Sequence, residues 1–304
     1  MSIERINASS SEMKRVLKFI KIMTKSMKFD ENMKNVNWKK CRIRNNFFYR
    51  LMPKQKGVKY KKVKLGSVKA LLSTFGKPDE KNIILYLHGG GFVTGSAFVC
   101  KSYCSMLAKY SKCMVYAAEY SLAPEKPFPA GFNDCCNAFE EIVKLYPDAK
   151  IALVGESAGG NYSIALALKY KEKVSCVIAN SPVVDFSSKV EYGKNEDNDF
   201  IVKRGCLKPL IEMYVGDNDI SNPYISPIYG DFTNFPPTLI TCDINETLYV
   251  SAQALYQKCK EANIDVTMIE AVGTCHAFAV AGSNTPETMK ILNRTVEFIK
   301  KYGN

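Results

Sequence analysis

The chain reads as an α/β protein: a mostly parallel sheet of eight strands with helices on both faces and a helical cap. Three observations point there. Nearly continuous apolar runs of strand length recur from residue 83 onward, helix-length segments of amphipathic spacing separate them, and the order repeats as strand, helix, strand. Strands covered on both faces lose the in-and-out alternation of a half-exposed strand, which is why their runs read as continuous.

The elements follow in order. Residues 58–65 and 70–74 alternate apolar with polar, and Gly66-Ser67 between them supplies a turn, so they predict an antiparallel edge pair. The runs at 83–87, 114–118, 151–154 and 174–179 predict buried parallel strands, with helices over 98–111, 131–146 and 158–171 as their crossovers. Strands at 238–242 and 266–269, with helices over 248–262 and 286–301, complete the set of eight strands.

Between 185 and 237 the pattern breaks into a polar stretch at 187–199, a helix near 203–215 and a turn-rich tail. Some fifty residues are too many for a plain loop. We read one domain over 1–304 whose cap is formed by 1–50 and 185–230, lying over the carboxyl ends of the strands where α/β proteins bind ligands.

Composition excludes several classes. A hydrophobic fraction of 46% and a charged fraction of 24% fit a packed globular chain rather than a disordered one. The eleven cysteines are odd in number and lack a CxxC repeat, so neither a disulfide framework nor a zinc site is expected. No basic leader followed by an apolar stretch opens the chain, and no apolar run reaches the ~18 residues of a membrane span. These features fit a reducing cytoplasm. The expected partner is a small molecule, with no nucleic acid and no stable membrane association; a homodimer is left open.

The formal charge of +12 does not contradict this, because it is not spread along the chain. Residues 1–80 hold 21 Lys+Arg against 6 Asp+Glu, a net of +15, and the remainder is slightly acidic. Within that segment, residues 11–29 place Met13, Val16, Leu17, Ile20, Met23 and Met27 at helical spacing, which predicts a basic amphipathic helix. We read it as a cap helix docked by its apolar stripe; the same pattern also suits an anionic surface or acidic partner.

The residues that carry chemistry lie on the sheet. Gly155-Glu156-Ser157-Ala158-Gly159 follows the strand at 151–154 and opens a helix, the strand–turn–helix context in which a central serine is lifted above the sheet as a nucleophile. His88-Gly89-Gly90-Gly91-Phe92 ends the strand at 83–87, and consecutive glycines let backbone N–H groups approach a developing oxyanion closely. Only two histidines exist. His88 abuts the glycine loop and is expected to brace it, which leaves His276, after the last strand, as the base for Ser157. A carboxylate must hold that histidine in its useful tautomer, and the turn after 238–242 offers two, Asp243 and Glu246. Cys242 and Cys275 are read as small apolar fillers.

Taken together, these segments resemble the hormone-sensitive-lipase-like family of α/β-hydrolases, the group of bacterial carboxylesterases and acetyl esterases, over about 82–300. The motifs that carry the likeness are His88-Gly-Gly-Gly-Phe92, Tyr120-Ser-Leu-Ala-Pro-Glu-Lys-Pro-Phe-Pro-Ala130, Gly155-Glu-Ser-Ala-Gly-Gly160, Asn222-Pro-Tyr-Ile-Ser-Pro227 and Pro236-Pro-Thr-Leu-Ile240. The resemblance implies the α/β-hydrolase fold, a serine esterase without cofactor or metal, and Ser157, His276 and Glu246 as the triad. It implies an oxyanion hole from the N–H groups of Gly90, Gly91 and Ala158, with Glu156 and Tyr120 supporting the elbow. Three departures stand out: the family's Asp-Pro-Leu-x-Asp run is missing near Glu246, which keeps Asp243 as the alternative acid; Ala277 follows the histidine where many members have Gly; and Ser121 replaces the usual Arg. The expected reaction is hydrolysis of short-chain esters, acetyl to about hexanoyl, through an acyl-enzyme. Two other classes share the pattern: a non-catalytic binder of small ligands on this fold, and an amidase or peptidase with the same triad.

Overall fold

The computed structural model describes residues 1–25, 33, 36–187, 192, 195, 197–203, 205–280 and 285–303. Among these residues, nine strands form one sheet: β1 (Ser2–Asn7), β2 (Val58–Leu65), β3 (Val68–Phe75), β4 (Asp79–Leu87), β5 (Cys113–Ala118), β6 (Lys150–Glu156), β7 (Val174–Asn180), β8 (Thr238–Asp243) and β9 (Val266–Val272). Their order across the sheet is β1-β9-β8-β7-β6-β4-β5-β3-β2. Only β3 runs against the rest, pairing antiparallel with both β2 and β5.

The expectation of eight strands is corrected to nine. Ser2–Asn7, which the sequence reading assigned to the cap, pairs in parallel with β9, from Ser2 opposite Thr267 to Asn7 opposite Val272. The cap therefore cannot begin before Ala8. Side-chain contacts fix the strand as well: Ile6 is buried, and Arg5 reaches Glu270 at 2.8 Å. At the opposite edge β2 exposes Lys59, Lys61, Lys62 and Lys64, charges that discourage edge-to-edge pairing.

Among the described residues, eight α-helices accompany the sheet: α1 (Ser11–Lys25), α2 (Trp38–Leu51), α3 (Lys101–Ser111), α4 (Ala130–Leu145), α5 (Ala158–Lys169), α6 (Leu207–Val215), α7 (Tyr249–Glu261) and α8 (Pro286–Gly303). The alternation along β4 shows how they share the core. Ile83, Leu85 and Leu87 enter a cluster with α4, α5 and α7, whereas Ile84 and Tyr86 enter another with α3, α8 and Met13 of α1. Both faces are thus apolar, as the continuous runs require.

Helix α1 packs against the body through Met13, Leu17 and Ile20; Met27 lies outside the described residues. Its amino end is fixed by Glu287 of α8, which accepts from the N–H groups of Ser9 and Ser10 at 3.0 and 2.9 Å. A third, smaller cluster joins Trp38 and Cys41 of α2 to Cys206, Leu210 and Met213 at α6, with Val93 and Ala123 beneath. The polar stretch at 187–199 falls largely outside the described residues. Among those described, no helix is long and apolar enough to cross a membrane.

Candidate active site

The turn from β6 into α5 sets Ser157 at φ 54° and ψ −119°, a left-handed conformation costly for any residue with a Cβ. Its backbone is held from both sides: the N–H donates to Asn180 O at 2.9 Å, and the carbonyl accepts from Asn161 N at 3.1 Å. Space dictates the flanking glycines. A Cβ at Gly155 would lie 2.2 Å from Gly159 O, and one at Gly159 would lie 2.0 Å from Leu87 O. The sharp bend and the close passage of β4 therefore both require GxSxG.

At the end of β4 the glycine loop turns back beside this elbow. Gly90 has φ +123° and Gly91 φ +61°; a Cβ on Gly90 would strike Thr94 O at 2.3 Å, and one on Gly91 would press on Leu210 of α6 at 3.0 Å. Among the described residues, the N–H groups of Gly90, Gly91 and Ala158 donate to no protein acceptor, and all three residues line the same cavity as Ser157. Three unengaged donors bordering one space beside a serine suit an oxyanion.

Glu156 ties loop to elbow. Its Oε1 accepts from Gly89 N at 2.7 Å and its Oε2 from Tyr86 OH at 2.6 Å. Burial raises its pKa to about 7, although both donors favour the ionised form. His88 is buried, does not line the cavity, and braces the loop: Nδ1 lies 2.8 Å from Gly89 O and 3.1 Å from Tyr120 Oη, and the two rings stack at 4.1 Å. Burial lowers its pKa.

His276 lines the cavity with Ser157 and faces Glu246, with Nδ1 3.7 Å from Oε1. Among the described residues, neither of those two atoms has another partner. Burial presses His276 toward the neutral form, but the carboxylates of Glu246, Asp199 and Glu156 together outweigh it, so its pKa stands above the ordinary imidazole value. Glu246 is itself raised, first by burial, with His276 pulling the other way.

Asp243 is spoken for. Its Oδ2 accepts from Thr274 N at 2.6 Å and Thr274 Oγ1 at 2.7 Å, and its Oδ1 accepts from Asn245 N at 2.8 Å. It holds the strand end of the loop that carries His276 and does not face the ring. Of the two carboxylates in this turn, the fold brings Glu246 to the histidine.

Sequence reasoning missed Ser181, just beyond β7. Its hydroxyl donates to Glu246 Oε2 at 2.9 Å and accepts from Ala277 N at 2.9 Å, so one side chain positions both the acid and the histidine loop. Asp199 was missed as well; it accepts from Thr247 N at 3.0 Å and adds negative charge near His276. Neither sits in a motif, because each acts across more than forty residues of chain. Cys242 and Cys275 are buried free thiols pushed well up by that burial, so neither is ionised near the site.

The shared cavity, about 250 Å³, is lined by Phe19, Phe48 and Tyr49 from the N-terminal helices and by Leu207, Leu210 and Ile211 from α6. Among the described residues that line it, the acidic and basic side chains are Glu156 and His276. A strained serine, free backbone donors and a carboxylate-facing histidine at the carboxyl ends of parallel strands define an α/β-hydrolase.

Comparison with known proteins agrees. A family model described as the alpha/beta hydrolase fold matches residues 84–280, and the chain belongs to that family. An esterase of Acinetobacter venetianus is 25% identical over 256 residues, covering 82% of this chain and 84% of that one. An acetyl-hydrolase of Streptomyces hygroscopicus is 28% identical over 193 residues, covering 62% of this chain and 64% of that one. The solved structure of an esterase from the bacterial hormone-sensitive lipase family superposes with a TM-score of 0.88 at 27% identity, over 98% of this chain and 100% of that one.

Proposed function

We propose that this chain is a serine carboxylesterase acting on small, neutral, short-chain esters, acetyl to about hexanoyl. That it is an ester hydrolase rests on its family and on relatives named as esterases and acetyl-hydrolases. One observation carries the serine mechanism: a buried histidine lines the serine's cavity with its Nδ1 turned to an otherwise unpartnered carboxylate oxygen.

Ser157 Oγ attacks the ester carbonyl while His276 takes its proton, and the N–H groups of Gly90, Gly91 and Ala158 receive the charge on the former carbonyl oxygen. Glu246 orients the ring and stabilises the imidazolium. The imidazolium then protonates the leaving alcohol, water attacks the acyl-serine with His276 again as base, and the acid product departs. Within 8–50 and the insertion, the described residues that line the cavity, among them Phe19, Phe48, Tyr49, Leu207 and Leu210, act as the cap that walls the acyl site; their apolar character supports this. The modest cavity favours short acyl groups, since sites for drug-sized ligands run to ~300–1,000 Å³. A reducing cytoplasm suits eleven free, buried thiols.

The test is an acyl-length series on one chromogenic leaving group, run with the parent and Ser157→Ala and paired with a matched anilide. We expect a maximum below octanoyl, little anilide turnover, and loss of turnover in the variant. Undiminished hydrolysis by Ser157→Ala removes the mechanism, and faster anilide turnover makes the enzyme an amidase.

A further inference from the structure

The two N-terminal helices carry apolar side chains on the wrong face. On α2, Trp38, Cys41 and Asn45 point inward, while Ile43, Phe47 and Leu51, spaced by four residues, are 63%, 57% and 59% exposed. Basic residues flank this outward stripe, namely Lys39, Lys40, Arg44 and Arg50, and α2 contains no acidic residue. On α1 the inward stripe is satisfied, yet Phe19 and Ile22 stand exposed beside Arg15 and Lys18. Beside Ile22, Lys14, Lys18, Lys21 and Lys203 surround a hollow of about 540 Å³ floored by Leu17 and Phe200.

Exposed apolar groups rimmed by cations have few suitable occupants. A second copy of this face would set two basic surfaces against each other, with Glu12 as the one acid on either helix to offset them. An anionic bilayer offers both complements, since its acyl region accepts Ile43, Phe47, Leu51 and Ile22 and its headgroups accept the surrounding Lys and Arg. Position adds a second argument. Phe19 of α1 and Tyr49 of α2 are at once exposed and part of the active-site cavity, so each helix reaches the cavity's rim.

We propose that α1 and α2 form a peripheral docking surface for an anionic phospholipid bilayer, bound reversibly and turned so that the cavity rim meets the lipid. Docking stands on the helices alone. That the surface delivers lipid-dissolved neutral esters to Ser157 rests on the esterase reading above.

The experiment is flotation of the full chain with vesicles of phosphatidylcholine, alone or mixed with phosphatidylserine, at low and high salt. Two double variants accompany it, Phe47→Ser with Leu51→Ser and Lys40→Glu with Arg44→Glu; none of these four residues lines the cavity. We expect binding to the mixed vesicles only, reversal by salt, and at least about tenfold weaker partitioning in the charge variant. The apolar variant should weaken likewise while its thermal melt and its turnover of a water-soluble ester are kept. Equal partitioning to both vesicle types, or variants that bind like the parent, overturns the proposal. So does a parent dimer that the apolar variant converts to monomer, which makes the face an interface between copies. Vesicle binding without turnover of any ester leaves docking standing and removes the esterase reading instead.

Discussion

Glu246 and His276 face one another with both side chains buried, and the two atoms that face, Oε1 and Nδ1 at 3.7 Å, are those without another partner. The separation exceeds hydrogen-bond length, and such contacts tighten when substrate binds. Glu246→Gln is therefore expected to lower kcat by about 10²–10⁴-fold with a smaller change in KM. Asp243→Asn should act through stability: with the bonds to Thr274 weakened, it is expected to cost about 1–3 kcal/mol and to lower kcat far less. Steady-state kinetics and thermal melts on the pair separate the two roles. Reversal of the pattern makes Asp243 the acid.

The pH dependence follows from the charges around His276. Carboxylates stabilise imidazolium, so the raised pKa means that the neutral base is lost as pH falls through a value above about 6.5. The acid limb of kcat/KM is expected there in the parent. Glu246→Gln removes the largest raising charge and should move the residual limb downward. A limb at or below 6.5 in the parent contradicts this.

Glu156 supplies a stability signature of its own. Its folded pKa, about 7, lies above the ordinary carboxyl value, so the protonated form is favoured by folding and stability declines as pH rises from about 4.5 to about 7. The decline is on the order of 3 kcal/mol. Glu156→Gln should flatten that part of the stability curve, as chemical denaturation across the range would read. An equally steep decline in the variant assigns the effect to another group.

Steric tests address the two glycine motifs separately. Gly159→Ala sets a Cβ 2.0 Å from Leu87 O and is expected to impair folding outright. Gly91→Ala meets only the tip of the Leu210 side chain but keeps a strained positive φ, so it should fold and lose about 10²-fold in kcat through a displaced oxyanion donor. Melting curves and kcat on both variants check this. Unchanged kcat in Gly91→Ala excludes its N–H from the oxyanion hole.

The buried strands were legible because parallel strands covered on both faces leave continuous apolar runs, and β4 through β7 lie where those runs fall. Strand β1 was not: Ser2–Asn7 has two apolar residues, and what makes it a strand is pairing with β9, some 265 positions away. Helix α2 was hidden for the opposite reason, since its apolar residues lie on both faces and give no single stripe. At the site, Ser157, Gly90 and Gly91 were readable because local geometry demands their neighbours. The choice of Glu246 over Asp243 was not, because both lie in one turn and the path of the 272–276 loop decides which of them faces the histidine.

Covalent labelling tests the central claim most directly. The parent, incubated with an organophosphonate, should gain one adduct per chain, located by mass spectrometry on Ser157, and His276→Ala should slow the labelling by at least about 10³-fold. An adduct on another residue, or labelling of Ser157 at the parent rate without His276, contradicts the account.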